Sequence, residues 1–133
     1  MNWYLEVLRK YAVFSGRARR TEYWTFTLVN IVVATLLAFV DNSSVALTVS
    51  TGVTAAYGVG ILSSLYSLAV LVPHLAVTVR RLHDTGRSGW WWLIGLVPVI
   101  GAVVLIIFAA QDSQPDSNEY GANPKSAAQA LTV

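Results

Sequence analysis

The residues best equipped for chemistry sit together in Arg80-Arg81-Leu82-His83-Asp84-Thr85-Gly86-Arg87. His83 beside Asp84 offers two halves of an acid–base pair, and imidazole titrates close to neutral pH, where such pairs work best. Asp84-Thr85-Gly86 also spells the aspartic-protease tripeptide. That chemistry needs two carboxylates facing each other in a β-rich cleft, whereas this tripeptide lies in an arginine-rich turn. His83, Asp84, Glu22 and His74 carry metal-ligating atoms, yet no His-x-x-x-His spacing sets two of them on one helical face. Neither a phosphate-binding glycine loop nor a Gly-x-Ser-x-Gly elbow occurs. Cysteine is absent, which excludes disulfides, thiolate catalysis and cysteine-ligated metals. The chain is therefore read as no enzyme, with no catalytic, cofactor-binding or metal-binding residue expected and the polar stretch expected to be an anchor; an enzyme acting on lipid or envelope substrates through His83 and Asp84 is the third-ranked reading.

The elements that hold this stretch are apolar. Of 133 residues, 55% are hydrophobic and 12% charged, against about 25% charged in soluble domains. A soluble fold of that composition would expose large apolar patches, so the fold class expected is an all-α integral membrane protein. Residues 1–125 form one membrane domain. Residues 1–14 place Trp3, Tyr4, Val7, Leu8, Tyr11 and Phe14 on one side of a helix and Glu6, Arg9 and Lys10 on the other, an amphipathic helix suited either to a bilayer interface or to docking on its own bundle. No cleavable signal pattern precedes the first apolar run, which is read as a retained anchor.

About three transmembrane helices follow. Residues 24–40 carry no charge, and Asp41-Asn42-Ser43-Ser44 are turn formers expected to end that helix. Residues 42–79 hold no Asp, Glu, Lys or Arg, too few residues for two spans and a turn, and are read as a loose loop followed by one helix over 54–79. In it Ala56, Gly60 and Ser64 make a small-residue stripe for close helix approach, and Pro73 removes a backbone donor opposite Ala69. Residues 90–110 are long enough to cross, but Pro98 and Gly101 break them at mid-length. Crossing as a broken helix is favoured over a re-entrant hairpin, since each half is too short to span hydrocarbon alone. Residues 126–133 are expected to be a disordered tail.

Charge sets the orientation. Five basic residues lie before the first span, none between Asp41 and Val79, three from Arg80 to Arg87 and one in the tail, so the amino terminus and the middle connection are predicted to be cytoplasmic. The same asymmetry makes nucleic acid an unneeded explanation for Arg17, Arg19 and Arg20. Arg17, Arg19, Arg20, Glu22, Arg80, Arg81, His83, Asp84 and Arg87 should then meet at one cytoplasmic rim. Trp24, Trp90, Trp91 and Trp92 fall where an indole ring suits the membrane interface.

Four motifs in order carry a resemblance: Phe14-Ser15-Gly16-Arg17-Ala18-Arg19-Arg20-Thr21-Glu22-Tyr23-Trp24; Arg80-Arg81-Leu82-His83-Asp84 with Arg87-Ser88-Gly89-Trp90-Trp91; Pro98 with Gly101; and Asn118-Glu119-Tyr120-Gly121 with Asn123-Pro124. With them the chain resembles, over nearly its whole length, the YhaH/YhaI-like family of small bacterial inner-membrane proteins, also called domain of unknown function 805. The resemblance implies a multi-pass protein of the bacterial inner (plasma) membrane and assigns it no particular activity. The function expected is non-enzymatic, a binding or organising role at the cytoplasmic membrane face with lipid, a second copy or another membrane protein as partner. The alternative is a small oligomeric transporter or channel component, suggested by Asn30, Pro73-His74 and the Pro98-Gly101 break.

Overall fold

Two long helices, α2 (Arg20–Ser50) and α3 (Ile61–Asp84), pack against each other and carry everything else. The computed structural model describes residues 2–50 and 60–130. Both helices are long and apolar enough to cross a membrane, over Arg20–Asp41 and Ile61–Asp84. Leu28, Ile31, Val32, Leu36, Leu65 and Leu68 are exposed, whereas Glu22, Arg80, Arg81 and Asp84 are buried. This inverts the water-soluble arrangement and suits surroundings of hydrocarbon, where outward aliphatic side chains need no cover and charges must be enclosed.

The first span departs from expectation at its far end. Asp41 to Ser44 do not stop the helix, which runs on to Ser50. Asp41 is instead an acceptor for its neighbour: its carboxylate takes the N–H of Ser63 at 2.9 Å and of Leu62 at 3.4 Å, capping the first turn of α3 from outside. Gly60 makes room for it, since a Cβ there would collide with the Asp41 carboxylate. The small-residue stripe thus has a specific use at Gly60; Ala56, and the expected start of the second span at residue 54, lie outside the described residues.

The amino-terminal helix is shorter than the predicted 1–14. It is α1 (Trp3–Arg9), with Asn2 accepting from the Leu5 N–H. Its apolar side lies on the bundle: Val7 is fully buried and the Tyr4 ring stacks on Phe26 with centroids 5.2 Å apart. Glu6 and Lys10 pair on its outer side at 2.9 Å. The chain then leaves the helix so that the Tyr11 hydroxyl can donate to the carbonyl of Ala69. That carbonyl is the one deprived of its helical donor by Pro73, so the connector repairs a defect that the proline makes in an otherwise continuous α3.

Residues 90–110 do not form one continuous helix. A 3-10 helix (Gly89–Leu96), capped by Ser88, and α4 (Ile100–Ala110) run antiparallel, with Trp91 edge-on to Phe108 and Gly101 against the carbonyl of Ile94. Between them Val99 takes φ +64° and the Ile100 N–H reaches the Pro98 carbonyl at 2.7 Å, a γ-turn that reverses the chain. The two flanks of the segment then meet: Arg87 donates to the Gln111 side chain at 2.7 Å. In place of one broken helix the segment forms a hairpin whose two ends lie side by side. Its halves are about 16 Å long each, roughly half a hydrocarbon thickness.

The tail is ordered further than predicted. Asn118 and Gly121 close a tight turn, and Asn123 caps α5 (Pro124–Ala130) by accepting from the Lys125 N–H at 3.0 Å, with Pro124 at the first helical position. Residues 126–130, expected to be disordered, are therefore helical; 131–133 lie outside the described residues.

One test follows from the Tyr11–Ala69 contact. Tyr11→Phe is expected to lower stability in detergent by about 1 kcal/mol, and the loss should shrink toward zero on a Pro73→Ala background, where the substituted residue supplies the missing N–H. Thermal melts of the four proteins give the coupling; equal losses on both backgrounds would refute the repair.

Candidate functional site

The rim is built where four chain segments converge: the connector 15–19, the start of α2, the last turn of α3, and residues 109–124 after the hairpin. Gly16, at φ +87°, turns the connector so that the Ala18 N–H meets the Arg80 carbonyl at 3.0 Å and Arg17 turns inward. Arg80, Arg81 and Asp84 fall on the inner face of α3 by helical spacing, and all three are buried.

Asp84 is the centre. Its Oδ1 accepts from Arg17 Nε at 2.9 Å, and its Oδ2 from Arg81 and from the Ser113 hydroxyl. Side-chain exposure is 1% for Arg17, 1% for Arg81 and 0% for Asp84. The rest of the Arg17 guanidinium is spent on backbone carbonyls: Gln114 at 2.8 Å, Asp116 at 2.8 Å, Gly121 at 3.3 Å and Asp84 itself at 3.3 Å. Arg81 reaches the carbonyls of Ala109 at 3.1 Å, Ala18 at 3.2 Å and Gln111. Beside this knot Arg80 pairs with Glu22 at 2.6 Å, also buried, while its Nε and Nη2 lack an acceptor among the described residues.

The remaining candidates lie around this centre. Arg19 holds the Pro124 carbonyl through two nitrogens at 2.7 and 3.0 Å and lies over the Trp3 ring. Arg87 rests on the Phe108 ring, 3.9 Å from its centroid. His83 points its Nδ1 at the Gly16 carbonyl, 3.1 Å away, and stacks flat on Tyr120 with centroids 3.8 Å apart. Arg20 is the half-exposed member, 3.2 Å from the Ala110 carbonyl and 3.7 Å from Asp112. All nine rim residues are thus brought together in one region, and the five most central have almost no contact with solvent. Among the described residues no group of three His, Asp or Glu could hold a metal ion.

The tryptophans divide. Trp90 and Trp91 are exposed, Trp92 is half-buried in a recess of about 310 Å³ shared with Phe14, His83 and Tyr120, and Trp24 packs half-buried against the core. Two features are not legible in the sequence. The carbonyls of residues 109–124 serve as acceptors for four arginines, Arg17, Arg19, Arg20 and Arg81, and a backbone acceptor has no side-chain signature; the turn residues around Gly121 are the hint. Tyr66 donates to Asn30 at 2.5 Å within a groove of about 400 Å³ between α2 and α3 that also holds His74; Asn30 stands out in the sequence, its partner does not.

Removing the central carboxylate should strand two buried guanidinium groups. Asp84→Asn is expected to cost about 3–5 kcal/mol and Arg20→Gln, at the exposed pair, under about 1 kcal/mol, both read from detergent melts. Similar losses for the two would contradict the burial argument. The outer pair gives a pH test as well. A hydrogen bond from Lys125 holds the Asp112 carboxyl below the usual carboxylate range. The folded form then favours the ionised carboxylate, so this tie should be complete above the ordinary carboxylate pKa and be released only as pH falls through the lowered one. A carboxyl-carbon NMR titration would show an Asp112 midpoint lower than in Lys125→Ala.

Residues 11–122 match the family model described as "Protein of unknown function (DUF805)". The chain is 46% identical over 125 residues to inner membrane protein YhaH of Escherichia coli strain K12, covering 94% of this chain and 98% of that one. It is also 46% identical to inner membrane protein YhaI of the same strain, covering 94% and 97%. No solved structure matches. Carried by a match across almost the whole chain, including the rim segments on both sides, the conclusion is that this protein belongs to the DUF805 family.

Proposed function

We propose that this chain is a multi-pass inner-membrane protein with two crossings, α2 and α3, and one re-entrant hairpin, residues 89–110. Its amino terminus and its tail both face the cytoplasm, and its role is to bind or organise partners at that membrane face without catalysing a reaction. The observation that supports this reading is the commitment of the rim. Both oxygens of Asp84 are engaged by arginines and a serine, and His83 is held between Gly16 and Tyr120. An acid–base pair needs its groups within reach of a substrate; these are spent on holding the chain together. Two relatives named as inner membrane proteins support the location, and the grouping of the basic blocks supports the orientation. Lipid is the first partner; a second copy or another membrane protein would use the same face.

A second reading, a small oligomeric transporter or channel component, draws on the α2–α3 groove, where Asn30, Tyr66 and His74 place polar groups at mid-membrane depth.

The absence of native cysteine makes topology directly testable. In spheroplasts, Asn2→Cys and Ser117→Cys should both resist a membrane-impermeant maleimide until the cells are opened, while Ile61→Cys, at the other end of α3, should label at once. Labelling of Ser117→Cys in intact spheroplasts would restore the third crossing. For the second reading, purified protein in liposomes is expected to give no flux of protons, sodium or potassium above empty vesicles; flux abolished by Asn30→Ala would favour it instead.

A further inference from the structure

Three of the six rim arginines are buried, Arg19 and Arg87 are half-buried, and Arg20 is exposed. We infer that Arg20, Thr21, Trp24, Thr25 and Leu28, with Ala110 opposite, form a binding groove for one anionic phospholipid. This deepens the reading above, since it names the partner at the cytoplasmic face and rests on that placement.

These residues line a groove of about 490 Å³ between the start of α2 and the end of α4. Positions 21, 24, 25 and 28 follow the i, i+3, i+4, i+7 spacing, so they form one stripe on α2. Along the stripe the chemistry changes in the order a phospholipid would require. Arg20 stands at the rim with 45% of its side chain exposed. Next come the hydroxyls of Thr21 and Thr25, which have no intramolecular partner among the described residues. Trp24 lies half-buried alongside them, its ring edge-on to Tyr23, and Leu28 follows, 56% exposed. Arg20 and Leu28 are eight residues apart, about 12 Å along the helix, which is the passage from headgroup phosphate to the upper acyl chain.

Charge complementarity selects an anionic lipid over a neutral one. Arg17, Arg80 and Arg81 are enclosed and committed to internal acceptors, so they cannot meet a headgroup. Arg20 is opposed by Asp112 at 3.7 Å, and Asp112 is itself bonded to Lys125, so the positive charge of this site is only partly offset. The groove opens toward the lipid-facing side of α2, where Leu28, Ile31 and Val32 continue the apolar surface. A soluble anion would satisfy Arg20 but leave that surface without a partner; a phospholipid fits both.

The test is lipid retention by native mass spectrometry of the purified full chain, offered equimolar phosphatidylglycerol and phosphatidylcholine with identical acyl chains. The parent should keep phosphatidylglycerol preferentially. Arg20→Gln should lower that preference about fivefold, Thr21→Val with Thr25→Val should lower it less, and Arg9→Gln, which removes an exposed cation elsewhere, should leave it unchanged. Helicity by circular dichroism checks that the variants fold. If Arg20→Gln does not fold, quenching of a Trp24-only protein by brominated phosphatidylglycerol more than by brominated phosphatidylcholine carries the same decision. No preference in the parent, equal loss in Arg9→Gln, or equal quenching by both lipids would overturn the site. None of these results moves the cysteine-labelling pattern, so the groove can fail while the membrane placement stands.

Discussion

Asp84 is a single carboxylate, fully enclosed, between two enclosed guanidinium groups, and the rest of the fold follows from what that arrangement requires. A charge shut away from water is tolerable only when it is paired and most of the donors and acceptors around it are used. Two carboxylates cannot do this for three buried arginines, so the remainder must come from backbone carbonyls. Helix ends supply them. The last carbonyls of a helix have no internal donor and carry the negative end of its dipole. Arg17 takes the carbonyl of Asp84 at the end of α3, Arg81 that of Ala109 and Arg20 that of Ala110 at the end of α4. The hairpin therefore brings its final turn back beside the end of α3, where it is part of the solvation shell of the arginines.

The same requirement explains which parts of the fold the sequence discloses. Runs of apolar residues and clusters of arginine are composition signals, and they locate both long apolar helices and the rim that Arg17 to Glu22 shares with Arg80 to Arg87. Side-chain identity also marks Ser88 as a cap and Pro73 as a defect at Ala69. What stays hidden depends on partners remote in sequence. Asp41 among turn formers looks like a helix end until Leu62 and Ser63 are seen presenting free N–H groups to it. Residues 90–110 have the composition of a crossing and of a hairpin alike, and the difference is decided by contacts at their flanks. The basic-residue count has almost nothing to say about the tail, which contains a single lysine, Lys125.

The rim also shows why a cluster of charged residues is a poor guide to an accessible site. Nine candidates share an expected location, and the structure separates them by exposure into a buried knot around Asp84 and Glu22 and an outer ring of Arg19, Arg20, His83 and Arg87. Asp84 and its neighbour His83 look the most reactive in sequence, yet Asp84 lies in the inner knot and both are spent on holding the chain together. The aromatic rings follow the same division, Tyr120 covering His83 and Phe108 covering Arg87, so that the knot is roofed by the tail and hairpin.

The knot has a consequence for how the protein is made. Arg17 contacts Asp84, 67 residues later, and then Gln114 and Gly121, 97 and 104 residues later. A ribosome adds roughly 5–20 residues per second, so Arg17 waits seconds, already at the membrane, before its last acceptors exist. Only the arrival of residues 114–121 completes its set of partners. Until then the guanidinium that the folded protein encloses lacks its full set of acceptors, so closure of the knot waits on the segment that follows the hairpin.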